Sequence, residues 1–347
     1  MREIVIKENE AGQRFDKYLK KYLPEAPGSF IYKMLRKKNI VLNEGKASGS
    51  EKLSAGDHVK LFLGEDTIGR FSAKPPVETE GKPSKARLAV IYEDHDILVL
   101  NKPAGMLSQK AGREDFSVVE AVTEHLLFNG SLTREELRTF RPGVCNRLDR
   151  NTSGIIVAGK SLSGLQVMSE LFRTRELKKY YLCLVKGAVT EKKHIRGYLR
   201  KDERTNRVEI LTDSSGGKEK APAPGPGFVP VETEYEPVAY CQKLSLLKVH
   251  LITGRTHQIR AQLAFEDHPV LGDYKYGCDA FNDSYKKKYG VTAQLLHAYC
   301  LSLPDIDGKL AGLSGREFFA EVPKVFYRII EDVRWQHGTQ EALEVRH

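Results

Sequence analysis

The chain has 347 residues, 40% of them hydrophobic, and its 55 Lys and Arg against 46 Asp and Glu give a formal charge of +9 at pH 7. This length allows two or more domains with sizeable cores, and the basic balance favours a polyanionic partner such as nucleic acid. The sequence contains no run of about 18 apolar residues, which excludes a membrane-spanning helix.

The first 70 residues are predicted to form a compact basic domain. The opening residues alternate polar and apolar side chains, which indicates a short strand and not a signal peptide. Phe15, Leu19 and Tyr22 then lie at helical spacing, and Ser29 can cap a second helix. This helix has an apolar and a cationic face, formed by Ile31, Met34 and Leu35 and by Lys33, Arg36 and Lys37, respectively. Apolar segments near 40–43 and 57–62 predict a small hairpin.

This helix pair and hairpin resembles the S-four-like RNA-binding module, named after a ribosomal protein, over most of residues 12–63. The resemblance implies that Lys33, Arg36 and Lys37 contact RNA phosphates. A charged helix face is often only a solvated surface, but a cationic face on so small a unit favours phosphate contact.

A breaker-rich segment, 71–87, is predicted to link this domain to a second one at 88–330. The second domain begins with a hairpin that ends in a Lys-Pro loop, and is followed by a predicted tail at 331–347. For the domain at 88–330 we predict a mixed α+β fold with a largely antiparallel sheet and a surface loop at 214–227. Its predicted helices are 116–127 and 161–176, and its predicted strands are 179–186, 207–211, 231–239 and 245–253.

The five cysteines are far apart and mostly embedded in apolar, strand-like sequence, which indicates reduced core residues. No CxxC pair or close His/Cys cluster occurs, so we expect no metal site. Reduced cysteines also favour a cytoplasmic protein.

The most informative run is NRLDRNTSG at 146–154, in which Arg147 and Arg150 flank Asp149. A strand-like segment follows, and Gly154 permits a backbone turn that would present the carboxylate at a strand end. An ionised carboxylate in a basic surround suits a nucleophile or a general base that meets a polyanionic substrate.

Three further segments supply groups that such a carboxylate needs. The run TGRTHQIR at 253–260 offers two cations at a turn into a helix, and KKYYLCLVKG at 178–187 places an aromatic hydroxyl beside cations at a strand start. A later apolar strand contains LLHA at 295–298. Tyrosine beside Arg and Lys is a combination suited to holding an unstacked base.

These runs, together with NKPAG at 101–105 and GDYKYG at 272–277, resemble the RluA family of pseudouridine synthases, in family order over roughly 88–326. The resemblance implies that Asp149 is the essential catalytic residue, that Tyr181 stacks on the uracil and that Arg260 pairs with the aspartate. It further implies that Leu296 or Leu301 forms an apolar wall and that Arg147 helps to displace the target nucleotide. The remaining expected RNA-binding residues of this domain are Arg150, Arg255, His257 and Lys102.

The reaction that the resemblance implies breaks the glycosidic bond at N1 of uracil, rotates the base and joins C5 to the ribose, without a cofactor, a nucleotide or a metal. The sequence does not choose among attack on the base, attack on the sugar and removal of a sugar proton. An RNA-binding domain ahead of this catalytic domain favours large-subunit ribosomal RNA as substrate over transfer RNA. We expect a monomer.

Two positions depart from the family. The family most often has histidine at the position of Asn146, and it often has histidine at the position of Gln262. Both keep hydrogen-bonding capacity but cannot titrate. Because no step of the reaction requires an imidazole, we expect activity to survive.

Four other interpretations remain open at this point. Residues 154–161 fit the phosphate-loop pattern GxxxxGK[ST], but their β-branched Ile and Val favour a buried strand, with Ser161 capping the next helix. Asp149 and Arg260 could form a purely structural ion pair. The protein could also be an inactive RNA-binding or ribosome-assembly factor of the same fold, or could act on transfer RNA.

Overall fold

The computed structural model describes residues 1–72, 88–112, 114–212 and 225–344. Residues 1–72 form an N-terminal module in which a four-stranded antiparallel sheet, in the order β1-β4-β2-β3, packs with three helices. The strands of the module are β1 (Arg2–Val5), β2 (Ile40–Leu42), β3 (Gly45–Lys46) and β4 (His58–Leu61). Its helices are α1 (Phe15–Tyr22), α2 (Gly28–Arg36) and α3 (Glu65–Phe71).

Helical spacing accounts for the packing of the module. Ile31, Met34 and Leu35 of α2 are buried in the same cluster as Phe15 and Leu19 of α1. Lys33, Arg36 and Lys37 lie exposed on the opposite side of α2. The two predicted helices and the hairpin are therefore present, with one face of α2 available to a partner.

The second domain is built on a mixed sheet of eleven strands within the described residues. Its pairing is antiparallel except where β14 runs parallel to β8, and the continuous order is β11-β10-β12-β13-β9-β14-β8-β6-β5, with β7 and β15 added to β8 and β14. The strands are β5 (Ala89–Glu93), β6 (Ile97–Lys102), β7 (Gly143–Val144), β8 (Ser153–Gly159), β9 (Lys178–Lys186), β10 (Lys193–Asp202), β11 (Arg207–Thr212), β12 (Val229–Tyr240), β13 (Leu244–Leu251), β14 (Leu296–Ser302) and β15 (Glu317–Phe319).

Six α-helices accompany this sheet in the described residues. They are α4 (Val118–Phe128), α5 (Leu162–Thr174), α6 (Gln258–Phe265), α7 (Asp279–Tyr289), α8 (Lys324–Asp332) and α9 (Thr339–Glu344). Local sequence explains the start of α4, where the Ser117 side chain accepts from the Val119 N–H and Glu120 accepts from the Ser117 N–H. The predicted α+β fold with a largely antiparallel sheet is confirmed. No helix in the described ranges is both long and apolar enough to span a membrane.

One predicted boundary is wrong. The linker was expected from residue 71, but α3 ends at Phe71, with Ile68 in the module core and Phe71 packed against Phe30 at a ring separation of 4.7 Å. Strand β10 was not predicted at all. Most of the expected linker, 73–87, and most of the predicted loop at 214–227 lie outside the described residues.

The expected C-terminal tail is also wrong as far as residue 344. Trp335 and Ala342 are buried in a cluster with Phe326 and Ile330, and the Trp335 indole donates to the Ile330 carbonyl at 3.0 Å. A short bridge pairs His337 with Tyr240 of β12. The segment packs because its few large apolar side chains have an uncovered surface of the sheet and α8 to bury against.

All five cysteines are unpaired, with Cys183 and Cys300 buried and the other three partly buried.

Candidate active site

Asp149 lies in the loop between β7 and β8, and the loop that follows β6 holds it in place. Ser108 donates from its hydroxyl to the Leu148 carbonyl at 2.8 Å and accepts from the Leu148 N–H at 3.0 Å. Gly105 donates its N–H to the Arg150 carbonyl at 2.8 Å. The carboxylate is thus fixed by backbone contacts on both sides, while its side chain keeps 27% of its surface exposed.

Lys102 also takes part in the contacts that hold this loop. An RNA-binding lysine was expected to face solvent, but Lys102 is buried. Its ammonium donates to the carbonyls of Pro103, Met106 and Arg150 at 2.9, 2.9 and 3.0 Å, and the residue is 1% exposed. Burial lowers the pKa of Lys102 to about 8. The expectation that Lys102 binds RNA is therefore wrong, because all three of its N–H groups are used inside the protein.

Gly154 allows β8 to begin directly behind Asp149. Its φ is +111°, and a Cβ at this position would lie 2.3 Å from the Ala298 carbonyl oxygen of β14. Only glycine fits here, because β8 and β14 approach each other closely in their parallel pairing.

Arg260 connects Asp149 to a second, buried carboxylate. Its Nη1 donates to Asp149 Oδ2 at 2.8 Å, whereas Nε and Nη2 donate to Asp273 at 2.6 and 2.9 Å. Burial disfavours both charges, but the hydrogen bonds and mutual attraction outweigh it, so the pKa of Arg260 is raised and that of Asp273 is lowered. The expected pairing of Arg260 with Asp149 is present, and Asp273 fixes the plane of the guanidinium.

Tyr181 projects from the middle of the sheet toward the same site. It lies on β9, opposite Val249 of β13 and Ala298 of β14, and is 8% exposed. Burial, and then the charge of Asp149, raise the pKa of Tyr181, so its hydroxyl is protonated at neutral pH. The side chain can therefore offer an aromatic face and a proton, but not a phenolate.

These residues line one cleft of about 550 Å³. The cleft brings together Asp149, Tyr181, Arg260, Arg147 and Leu296, with Arg150, Arg255 and His257 at the same opening. Of the two leucines considered for its apolar wall, Leu296 lines the cleft and Leu301 is buried in the core. A cleft of this size can enclose a nucleobase with its ribose.

Arg147, Arg150 and Arg255 are exposed where the cleft opens, as a contact with RNA requires. Lys201 of β10 adds a cation that the sequence did not suggest, since β10 itself was not predicted. Lys33, Arg36 and Lys37 belong to the N-terminal module and do not line the cleft.

His257 has an unusual setting. Its backbone is left-handed, with φ 56°, at the residue before α6, and its Nε2 lies 3.9 Å from Asp149 Oδ2. Its Nδ1 is 2.9 Å from the Tyr276 hydroxyl, which also accepts the Val208 N–H of β11 at 2.9 Å. Burial lowers the pKa of His257, so the imidazole is neutral at neutral pH.

Asn146 and Gln262 both point away from the cleft and into the fold. The Asn146 amide donates to the Ile155 carbonyl at 3.1 Å and accepts from the Val157 N–H at 2.9 Å, in the manner of a neighbouring strand. Gln262 is fully buried and accepts from the Thr233 hydroxyl at 2.6 Å. Neither residue contacts Asp149. The two departures from the family therefore alter hydrogen bonds in the surrounding structure and not the groups that line the cleft.

The phosphate-loop pattern is a strand, as its β-branched residues indicate. Residues 153–159 form the fully buried β8, and the Ser161 hydroxyl caps α5 by accepting from the Gly164 N–H at 2.9 Å. Lys160 donates to Glu93 at 2.7 Å and is not directed at a phosphate cradle. In the described part of the chain no three His, Cys, Asp or Glu side chains are grouped so as to hold a metal ion.

Sequence reasoning missed the roles of Asp273, Tyr276 and His297, although all three lie in motifs that it singled out. Asp273 binds Arg260, Tyr276 binds His257, and His297 is a buried brace between Ser153 and the Ala320 carbonyl. Their partners lie 13 to 144 positions away in the chain. The sequence offered one signal for Asp273 and Tyr276, which is that each lies beside a glycine in the GDYKYG motif.

Comparison with known proteins gives one consistent answer. The sequence profile described as RNA pseudouridylate synthase matches residues 96–265. The chain is 34% identical over 307 residues to the ribosomal large subunit pseudouridine synthase C of Pasteurella multocida, covering 86% of this chain and 84% of that protein. It is 30% identical over 301 residues to the protein of the same name from Vibrio cholerae, covering 85% and 86%.

A solved structure, human RNA pseudouridylate synthase domain containing 4, shares the fold. It superposes with a TM-score of 0.57 at 20% identity, over 72% of this chain and 94% of that one.

Proposed function

The chain belongs to the RNA pseudouridylate synthase family and is an isomerase that acts on RNA, and we propose that it converts uridine to pseudouridine in large-subunit ribosomal RNA. The relatives that support this substrate are named for the ribosomal large subunit and are covered over most of their length. The observation that carries the catalytic assignment is the partly exposed Asp149 carboxylate, held at 2.8 Å by Arg260 in a cleft with Tyr181.

Each cleft residue has a role that its chemistry supports. Asp149 acts on the glycosidic bond of the flipped nucleotide. Arg260 orients the Asp149 carboxylate and offsets its negative charge. Tyr181 stacks on the uracil, and Leu296 closes the apolar side of the pocket. In the net reaction the C1′–N1 bond breaks, a C1′–C5 bond forms, C5 loses its hydrogen and N1 gains a proton. The substrate and the product are therefore isomers.

Reaching this cleft requires a nucleotide to leave its stack, which costs a few kcal/mol and favours loops or weakly paired sites. Arg147, Arg150 and Arg255 are placed to bind the phosphates around the displaced nucleotide, with Arg147 taking its place in the stack. The exposed Lys33, Arg36 and Lys37 of the N-terminal module bind more distant phosphates of a structured RNA. We further propose that the protein acts as a monomer in the cytoplasm.

The test compares pseudouridine maps of total RNA from cells with and without the protein. We expect one or more large-subunit ribosomal sites to lose pseudouridine, to regain it with the wild-type chain, and not to regain it with Asp149→Asn. Purified Asp149→Asn should release tritium from C5-labelled RNA more than about a hundredfold more slowly, because its amide can neither attack nor accept a proton at the same rate.

Two controls separate chemistry from folding. Asp149→Asn should bind the RNA with nearly unchanged affinity, and Asp305→Asn, on an exposed loop, should behave as the wild type. Loss of sites only in transfer RNA would refute the proposed substrate. Full turnover by Asp149→Asn would refute the catalytic assignment, whereas no turnover by the wild type would leave an RNA-binding factor as the better description.

A further inference from the structure

The hydrogen bonds around Tyr276 determine where the proton of His257 lies. The Tyr276 hydroxyl oxygen accepts from the Val208 N–H at 2.9 Å and lies 2.9 Å from His257 Nδ1. A proton on Nδ1 would leave the tyrosine hydrogen without an acceptor among the described contacts of this partly buried hydroxyl. The hydroxyl therefore donates to Nδ1, and the ring proton is on Nε2.

The same ring is held against the reacting carboxylate. His257 Nε2 lies 3.9 Å from Asp149 Oδ2, and its side chain is 8% exposed. Its left-handed backbone, with φ 56°, is unfavourable for a residue other than glycine. Strained conformations of this kind are concentrated at functional sites, where the surrounding structure maintains them.

We propose that His257 and Tyr276 are positioning residues for Asp149: Tyr276 keeps the imidazole of His257 neutral with its proton on Nε2, and this N–H faces the carboxylate as an uncharged donor. The proposal rests on the assignment of Asp149 as the reacting group. It gives His257 a role beyond the RNA contact that the sequence suggested.

A neutral donor matters because Asp149 already faces a permanent cation. Arg260 contacts the carboxylate, and the charges of Lys275 and Asp273 also act on His257, with Asp273 paired to Arg260. A second cation at 3.9 Å would stabilise the Asp149 charge further and lower its reactivity as a nucleophile or base. Protonation of His257 should therefore inhibit the reaction.

Tyr276→Phe removes the hydroxyl and keeps the ring that packs edge-on against His257. Without the O–H···Nδ1 bond the neutral imidazole loses stabilisation, so the pKa of His257 rises and protonation begins at higher pH. We expect the acidic limb of the single-turnover rate to move toward neutral pH by roughly one pH unit, as loss of about one hydrogen bond implies, with near wild-type rates at pH 8.

His257→Gln supplies the matched background, since its amide can present an N–H to Asp149 but does not titrate in this range. The pH profile of this variant is the reference for the double variant, and adding Tyr276→Phe to it should cause no shift of the acidic limb. Tyr274→Phe is the control for loss of a tyrosine hydroxyl in the same segment, because that hydroxyl binds the surface residue Asp283. It should leave the pH profile unchanged.

A measurement that needs no substrate separates this proposal from the proposed function. With ¹⁵N-labelled histidine, the resonance absent from His257→Gln identifies His257. Its nitrogen shifts should indicate an Nε2–H tautomer in the wild type, and a higher pKa in Tyr276→Phe. An Nδ1–H tautomer, an unchanged pKa in Tyr276→Phe, or an equal shift of the acidic limb in both backgrounds would overturn the pairing. An inactive wild type with the expected tautomer would instead count against the function.

Discussion

Arg260 shows how a single side chain can determine the chemistry of its neighbours. It is 8% exposed and shared between Asp149, which faces the cleft, and Asp273, which is 1% exposed. A buried ion pair contributes little net stability, but removing one partner costs about 3–5 kcal/mol because the other charge stays buried. The arrangement is therefore best understood as a way of presenting Asp149 in one orientation.

Asn146 gives a test of whether the missing histidine has weakened the enzyme. We expect Asn146→His to bring no large gain in activity, because position 146 faces the backbone of β8 and not the cleft. An imidazole cannot pair with both Ile155 and Val157 in this geometry, so the free energy of unfolding should fall by about 1 kcal/mol. Tritium-release rates and urea unfolding of the variant check both statements.

Asn146→Asp is the matched comparison, since it keeps the size of the side chain and the acceptor for Val157 but places a second oxygen against the Ile155 carbonyl. It should be less stable than the wild type with little change in rate per folded molecule. A gain of orders of magnitude in Asn146→His would show that the natural residue limits catalysis.

Among the secondary-structure elements, α2 and β8 contrast in what their surroundings leave exposed. Every residue of β8 is buried, so the motif-like pattern within it serves only to fix the start of the strand behind Asp149. Helix α2 buries one face and leaves Lys33 and Arg36 exposed. Only the second arrangement leaves charge available to RNA.

The exposed face of α2 should contribute to the salt dependence of RNA binding. Replacing Lys33, Arg36 and Lys37 together with alanine should weaken binding and reduce the magnitude of the slope of log affinity against log salt by about 2–3. Each phosphate contact that is lost means that about one counterion fewer is released from the RNA on binding. Filter binding of large-subunit RNA at several salt concentrations measures the slope.

The control removes three exposed cations of the catalytic domain that do not line the cleft, Lys309, Lys324 and Arg328. Its slope should stay close to the wild-type value. An unchanged slope in the α2 variant would show that the module does not bind phosphates through this face. Turnover of a minimal stem-loop should be the same in all three proteins.

On the scale of the whole molecule, the two domains touch through polar groups. The buried Glu10 of the module accepts from the Thr139 hydroxyl and from the Lys7 N–H, and Lys7 itself pairs with Glu136 at 3.1 Å. These contacts join the N-terminal module to the segment around Thr139 of the second domain. Directional hydrogen bonds, unlike apolar contacts, also specify the relative orientation of the two domains.

His297 makes the stability of the whole fold sensitive to acid. Burial lowers its pKa to about 4, from an ordinary value of 6.5, where it joins Ser153 of β8 to the Ala320 carbonyl. The folded state prefers the neutral ring, so this contribution to stability is complete above pH 6.5 and is lost as the pH falls toward 4. The loss should reach about 3 kcal/mol.

Urea unfolding between pH 7.5 and 4.5 checks this prediction by comparing the wild type with His297→Gln, which cannot titrate there. The stability difference between the two should shrink as the pH falls. A difference that stays constant with pH would mean that His297 is not held neutral.

The sequence alone was sufficient for the fold class and the helix pair of the module. Helical spacing in α2 and β-branched residues in β8 are local signals, and they predict local structure. Asp149, Tyr181 and Arg260 were found through their motifs, and the structure brings all three to one cleft.

Only the tertiary structure decided which polar groups face solvent and which face each other. Lys102 looks like a surface cation in sequence, yet three carbonyls from two loops surround it. Tyr276 meets His257 of the loop before α6 and the Val208 amide of β11 only after folding. A residue's own sequence neighbourhood encodes its preference for helix or strand, whereas its hydrogen-bond partners and its ionisation depend on chain segments that meet only after folding.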